Sequence, residues 1–491
     1  MRPPPNRLRA LSALLGTTAF VGMVVLGEGT PETVLVTLAA SLAAALTVIL
    51  VVHRPVAAFG LLLVLATISD VVVGLPIGRV RLEQPSIIAA LVTLALTRGW
   101  PHRSAVRPVL PIVASFAVYL VVLTVASALN APKPLVSARL IIWTTLSMAS
   151  GVAVFALLVR STTERVQGWF TATGMGHAIL GLVIAGAFLV FGPIGIPGMQ
   201  TSPGEVPKVA GLAFEANLFA SMLGAIAPFA LDRFRTRPGL ATAMPLIVIV
   251  IGVGLGVTRG AYLGLGAGLL VYLGIVAYRS PRPSEVLAIV PVIAVALLLA
   301  PSIAAISLPT ERSSGAASGT PRPVESRSPG VSASVAATSP IPSPTPSPTP
   351  DADTFAYRID RIPTALHDFR TSPIIGLGAA SYGQRHELPY QRNVTPDYIG
   401  ILALVAIYES GLVGAAALAL GFAMSLRLLF RLSRDRPGPA AAYAASIVSL
   451  LVAYQATNAL FFSFNWIILG AGLALAVQAM DGLGVVVRSQ T

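Results

Sequence analysis

A few residues of this 491-residue chain combine polar chemistry with apolar surroundings, and their types suit the handling of an anion or a proton. Thr258-Arg259-Gly260 stands between two apolar runs joined by almost no loop. A guanidinium at a lipid–water boundary grips phosphate bidentately, and an adjacent glycine lets a headgroup come close. The plainer reading is an interfacial arginine that snorkels. In Lys208-Val-Ala-Gly-Leu-Ala-Phe-Glu215-Ala-Asn217, polar groups enter the end of an apolar run. Glu215 and Asn217 are costly in lipid and need internal partners, either neighbouring helices or a ligand. Arg358 and Arg361 are three apart and share one helical face. They form either a paired anion site or, with His367, Asp368 and Arg370, a solvated charged face. His386 stands alone in a loop segment, while Asp397 and Glu409 flank an apolar stretch. An imidazole or carboxylate so placed is the kind of group that takes a proton in general-base catalysis. Asp70, Gln455, Asn458 and Asn465 are isolated in sequence and read as bonds to neighbouring helices.

Other chemistries are excluded. The chain has no cysteine, which removes disulfides, thiolate metal sites, iron–sulfur clusters and thiol nucleophiles together. No His, Asp and Glu cluster has metal-ligand spacing, and neither a P-loop nor a Gly-x-Ser-x-Gly elbow occurs. No metal and no cofactor are expected.

The elements that must position these residues are membrane spans. Hydrophobic residues make up 55% of the chain and charged residues only 11%, against roughly 25% charge in a soluble domain. The net charge of +13 comes almost wholly from arginine, Lys133 and Lys208 being the only lysines. These charges sit between apolar runs and not on one compact face, so lipid headgroups and not nucleic acid are the expected partner. Lipid cannot satisfy backbone hydrogen bonds, so apolar runs of about 20 residues flanked by Arg or Pro are spans. They fall near 11–27, 33–52, 55–75, 85–98, 109–129, 140–159, 168–191, 212–231, 240–257, 261–278, 284–305, 411–430, 440–462 and 465–480. The 85–98 run is short enough to be re-entrant, giving about 12 to 14 spans. Arg2, Arg7 and Arg9 hold the N-terminus inside. The loops then threaded inside carry Arg54, Arg98, Arg103, Arg107, Arg160, Arg165, Arg233, Arg235, Arg237, Arg279, Arg282, Arg427, Arg431, Arg434 and Arg436. Val25-Leu26-Gly27-Glu28 shows no small-x-small cleavage pattern, so the first run reads as an uncleaved span.

The expected organisation is an all-α polytopic membrane protein. Residues 1–306 form a transmembrane bundle of about 11 spans, 307–352 an external tether, 353–410 an external helical loop domain, and 411–491 the C-terminal transmembrane helices. The tether follows from composition: Ser, Thr, Pro, Ala and Gly, ending in Ser-Pro-Thr-Pro-Ser-Pro-Thr-Pro, cannot bury a core and favour solvated polyproline II. Beyond it, Phe355, Tyr357, Ile359, Ile362, Leu366 and Phe369 recur near helical spacing, followed by Pro373-Ile-Ile-Gly-Leu-Gly378.

Taken in order, Lys208 to Asn217, Thr258-Arg259-Gly260-Ala261, the Arg358 to Leu366 helix with Pro373-Ile-Ile-Gly-Leu-Gly, and Glu409-Ser-Gly-Leu-Val-Gly414 resemble the O-antigen ligase and polymerase superfamily of bacterial polysaccharide assembly. The resemblance spans nearly the whole chain, through motifs that are individually short. It implies a GT-C-like bundle with one large external loop in the bacterial cytoplasmic membrane, both termini cytoplasmic. It also implies an inverting, metal-independent glycosyltransferase. The donor would be a glycan on polyprenyl pyrophosphate, and the acceptor a hydroxyl of a glycan, lipid or other molecule. Carried over, Arg259 matches the Ser/Thr-Arg-Gly arginine, and Arg358 or Arg361 the arginine opening the loop helix. Lys208 stands where the family usually has an arginine, without the bidentate fork. Where the family usually shows His-Asn before the Glu-x-Gly turn, this chain has Thr395-Pro396-Asp397, so either Asp397 takes the place of the base or His386 serves from the loop. The alternative is a polysaccharide or lipid-linked glycan transporter or flippase. Such a protein would be expected to show internal repeats and ionisable groups near the midplane, whereas here the candidates cluster at span ends.

Overall fold

The computed structural model describes residues 31–68, 72–75, 78–97, 100–159, 161–192, 196–200, 207–213, 215–279, 354–388, 390–391, 395–396, 399–457 and 459–489. The expected spans 11–27 and 284–305, the tether at 307–352, and Asp70, Asp397 and Asn458 lie outside the described residues. The described chain is an all-α polytopic membrane protein. Eight of its helices are long and apolar enough to cross a membrane, and three further apolar helices are shorter.

In chain order the helices are α1 (Pro31–His53), α2 (Pro55–Thr67), α3 (Glu83–Leu96), the short α4 (Arg103–Val106), α5 (Leu110–Asn130), α6 (Pro134–Leu158) and α7 (Thr163–Phe191). They continue with α8 (Ala216–Thr236), α9 (Leu240–Leu255), α10 (Arg259–Arg279), α11 (Thr354–Phe369), α12 (Ser381–Arg385), α13 (Leu402–Leu432), α14 (Pro437–Ala453) and α15 (Ser463–Ser489). Three two-stranded ribbons lie between them: β1 (Val72–Leu75) with β2 (Gly78–Arg81), β3 (Met199–Gln200) with β4 (Lys208–Val209), and β5 (Tyr390–Gln391) with β6 (Thr395–Pro396). The apolar run at 55–75 is therefore not one helix. It divides into α2 and strand β1, where Val72-Val73-Gly74-Leu75 pairs antiparallel with Gly78–Arg81; β-branched residues followed by Gly favour the strand over a further helical turn.

Helices α8 and α14 form the centre. Both are rich in alanine and buried on nearly every side, as expected of a helix that is apolar all round. Small residues decide how closely their neighbours approach. Gly260, Gly264 and Gly268 of α10 recur every fourth residue, and a Cβ on each would meet Ala453 and Ala456, Ser449 and Ala453, or Ala445 and Ser449 of α14 and its 3₁₀ extension. Without a hydrophobic drive between helices in lipid, such small-residue contact supplies the packing. At one end of the bundle Asp232 ties four helices together. Tyr272 donates to its Oδ1 at 2.9 Å, Gln167 donates to its Oδ2 at 3.0 Å, and Arg235 pairs with it at 3.3 Å. A Cβ on Gly438 at the start of α14 would meet the same carboxylate. Arg233, Arg235, Arg237, Arg431, Arg434 and Arg436 gather at this end, here called the arginine-rich end. The opposite end carries α11 and α12.

Candidate functional site

The described residues among those nominated from sequence lie around the loop-bearing end, and a chain of close contacts runs between the segments that carry them. Lys208 sits on β4, whose partner strand places the Gln200 carboxamide where Oε1 accepts from the Ala216 N–H at 3.1 Å. Glu215 is the extended residue immediately before α8, and Asn217 lies in its first turn. Both are half-buried. Gly256, at the end of α9, packs against Ala216 and Ala220, which brings Val257-Thr258-Arg259 over the start of α8. Arg259 opens α10 and its side chain is exposed. Next to it Gly260 lies on Ala453 and Ala456. The following turn is bound to α13 by Gln455, whose Oε1 accepts from the Ala403 N–H at 3.3 Å. Gly400, just ahead of α13, lies on the Arg358 side chain. Arg358 is half-buried and Arg361 buried, 7% exposed, with its guanidinium 5.9 Å from the Tyr382 ring centre.

The arc ends in a pair that sequence reasoning did not join. Asp368 Oδ2 lies 2.8 Å from His386 Nε2 and accepts from the Tyr408 hydroxyl at 2.9 Å. Tyr382 packs on the imidazole with ring centres 4.6 Å apart, and Tyr382 meets Tyr408 edge to face at 5.5 Å. The imidazole remains 31% exposed and the carboxylate 20%. With Nε2–H held by the carboxylate, the other ring nitrogen is left as an acceptor. Asp368 reads in sequence as one charge of a solvated helix face, and His386 as a lone loop histidine that is one of the base candidates. Only the packing of α11 and α12 against α13, through Ala365, Leu377, Tyr382, Val405 and Tyr408, brings them together.

Glu409 has a different setting. It lies inside α13, which is broken at Gly411, φ 64° and ψ −173°. The break frees backbone groups, and Pro373-Ile-Ile-Gly-Leu-Gly378 takes them up. Leu377 and Gly378 N–H donate to the Tyr408 and Glu409 carbonyls, both at 2.9 Å. Leu412 and Val413 N–H donate to the Pro373 and Ile374 carbonyls at 2.9 and 3.1 Å. The Glu409 side chain is 7% exposed, and its Oε1 accepts from the Ala380 N–H at 2.8 Å, Ala380 being held at φ 55°. Helices α5 and α6 complete the cradle. Ser127 Oγ accepts from the Ala379 N–H at 2.8 Å, Ser137 Oγ donates to the Ala379 carbonyl at 2.6 Å, and Asn130 Nδ2 donates to the Gly376 carbonyl at 2.7 Å. The two sequence motifs at 373–378 and 409–414 are thus halves of one backbone unit.

A deeper polar cluster also escaped the sequence reading. Arg81 and Glu83 are 2% and 1% exposed and 3.5 Å apart. Arg81 Nη1 donates to the Phe461 carbonyl at 2.7 Å, and its guanidinium stands 4.1 Å from the Phe462 ring centre and 4.7 Å from that of Trp143. Ser463 Oγ donates to Glu83 Oε1 at 3.2 Å. These bonds fasten the turn before α15 to β2, α3 and α6. Two charges two apart, between apolar runs with little loop to hold them, were the available signal. Asn465 has internal partners, accepting from Tyr454 and donating to the Ala459 carbonyl, both at 2.6 Å. Among the described residues no group of three or more His, Asp or Glu is placed to hold a metal ion.

A many-span bundle with polar groups gathered around a folded loop segment inserted between spans defines a polytopic membrane protein. Residues 244–419 match the family model described as O-antigen ligase. That stretch runs from α9 through Arg259 and the loop to the Glu409–Gly414 break, and it supports the O-antigen ligase and polymerase superfamily read from the sequence. Among curated proteins, none matches the chain.

Proposed function

We propose that this protein transfers or polymerises a polyprenyl-pyrophosphate-linked glycan at the outer face of the bacterial cytoplasmic membrane. The loop-bearing end faces outward, and both termini are cytoplasmic. The chain would act as an inverting, metal-independent glycosyltransferase. The observation that carries the reading is the Asp368–His386 pair, standing on the same loop as Arg358 and Arg361, within the stretch that matches the O-antigen ligase family. In the proposed step the acceptor hydroxyl oxygen bonds to the donor's anomeric carbon as the carbon–oxygen bond to pyrophosphate breaks. The hydroxyl proton passes to the ring nitrogen of His386 that Asp368 leaves free, and Asp368 steadies the imidazolium. Negative charge developing on the pyrophosphate is met by fixed cations, Arg259 with Arg358 or Arg361, which together could supply several kcal/mol. Lys208 adds a point charge at the far side of the arc, while Glu215 and Asn217 shape that side.

Purified full-length protein assayed with polyprenyl-pyrophosphate glycan and acceptor tests this. His386→Gln is expected to lose turnover by a factor of order 100 to 10,000 with donor binding retained, and Asp368→Asn to lose less. Wild-type turnover by His386→Gln would remove it as base, and loss confined to Asp397→Asn would move that role to the carboxylate. The transport reading draws no support from the family match. It would regain ground only if glycan crossed vesicle membranes without a new glycosidic bond.

A further inference from the structure

A groove on the side of the bundle, away from the loop-bearing end, takes no part in the proposed reaction. It lies between α5, α6 and α15, holds about 350 Å³, and is lined almost wholly by apolar side chains. Ala149 and Gly470 lie at its inner side, and Val113, Ala117, Phe155 and Leu473 are among the residues that line it. Ala117 and Val113 face outward from the protein, so the groove opens toward lipid. From Leu110 to Leu120 along α5 it runs about 15 Å at the helical rise of 1.5 Å per residue. That is half of a hydrocarbon core about 30 Å thick, the depth of one leaflet.

Its depth and its mouth place it toward the arginine-rich end. Gln478 on α15 donates to the carbonyls of Leu158 and Ser161 at the arginine-rich end, at 2.6 and 2.8 Å, and the groove stops short of that level. Trp100 and Pro101 line its mouth, Trp100 being 41% exposed as interfacial tryptophans are. Beside them His102, Arg103 and Arg107 are exposed. Neither arginine makes an ion pair among the described residues.

We propose that this groove holds one acyl chain of an anionic phospholipid, with the lipid phosphate on Arg103 and Arg107. An apolar slot one leaflet deep fits a single chain, and two exposed guanidiniums at its mouth fit a phosphate that carries net charge. The polyprenyl tail of a glycan donor fits less well, because its pyrophosphate belongs at the opposite end of the bundle under the proposed function. The lipid site itself stands on the groove and the arginines, and only the preference over a polyprenyl tail rests on the proposed function.

Native mass spectrometry of the full chain in detergent, titrated with phosphatidylglycerol, phosphatidylethanolamine or undecaprenyl phosphate, tests the assignment. Wild type is expected to hold one phosphatidylglycerol in preference to phosphatidylethanolamine. The double change Arg103→Gln with Arg107→Gln, both on exposed side chains, should weaken phosphatidylglycerol roughly thirtyfold and leave phosphatidylethanolamine unchanged. Ala117→Phe, which fills the slot from its lipid-facing side, should weaken both. Equal binding of the two phospholipids by wild type, unchanged phosphatidylglycerol binding in both variants, or its displacement by equimolar undecaprenyl phosphate would each overturn the proposal.

Discussion

Replacing Gly411 with alanine should loosen the loop from the bundle without dissolving the bundle. The residue holds φ 64° and ψ −173° inside α13, a region that costs a side chain about 1–3 kcal/mol. Its new Cβ would also meet the Ile374 carbonyl and the Gly376 nitrogen, so residues 373–378 would have to withdraw. Withdrawal breaks the bonds from Leu377 and Gly378 to the Tyr408 and Glu409 carbonyls, and those from Leu412 and Val413 to the Pro373 and Ile374 carbonyls. At a net 0.5–1.5 kcal/mol each these amount to about 2–6 kcal/mol. Even the lower ends of both ranges give about 3 kcal/mol, and tenfold in an equilibrium corresponds to about 1.4 kcal/mol. Hydrogen exchange of peptides covering 373–378 and 408–413 in lipid nanodiscs should therefore speed up roughly a hundredfold or more, because local opening sets their protection. Peptides from the middle of α14 should keep wild-type protection. Wild-type protection across both loop peptides would refute the account of the break and its partner segment.

Glu409→Gln retains an oxygen to accept from Ala380, so abundance and turnover should stay near wild type. Glu409→Ala strands a buried N–H and should lower stability by about 1–3 kcal/mol, read as a drop in folded yield; lost turnover with normal yield in the Gln variant would return Glu409 to the role of base. Arg259→Lys keeps charge but not the planar fork and should cut turnover of lipid-linked glycan strongly, with Arg259→Ala falling further, by a factor of order 100 or more. Full turnover by the Ala variant would detach Arg259 from the reaction. Gly264→Val drives a branched side chain into the Ser449 carbonyl, and an overpacking cost of about 1–3 kcal/mol should appear as a lower midpoint of thermal unfolding in detergent.

The spans were legible because lipid imposes one rule on every crossing segment, and long apolar runs such as 109–129 and 140–159 became α5 and α6 with small shifts at their ends. Arg259 was legible as well, since an arginine with no loop around it has to open or close a helix. What stayed hidden depends on contacts across the chain. His386 stands in the sequence as a base candidate without a partner, and Asp368 looks like a surface charge until the fold joins the two and Tyr408, forty residues beyond Asp368, donates to the same carboxylate. Glu409 reads in the sequence as one of the base candidates, flanking an apolar stretch. Its bond to Ala380 arises only when the 373–378 segment lies in the break of α13. Arg81 and Glu83 were obscured by the apolar run ahead of them, which reads as a span up to residue 75 but holds a strand at Val72–Leu75.

The glycine stripe on α10 limits how this protein can change over evolutionary time. Gly260, Gly264 and Gly268 lock the backbone of α10 onto α14, and Arg259 stands one residue from the first of them. A single residue gained or lost between Arg259 and Gly264 would rotate the arginine by about 100° around the helix, turning it away from the arc of polar groups while the stripe kept the helix in place. Point substitutions along α10 can accumulate on its lipid-facing side, but insertions and deletions in its first turn cannot. Length variation among descendants of this chain should therefore collect in the Ser-, Thr- and Pro-rich stretch at 309–352, leaving the spacing from residue 258 to residue 268 unaltered.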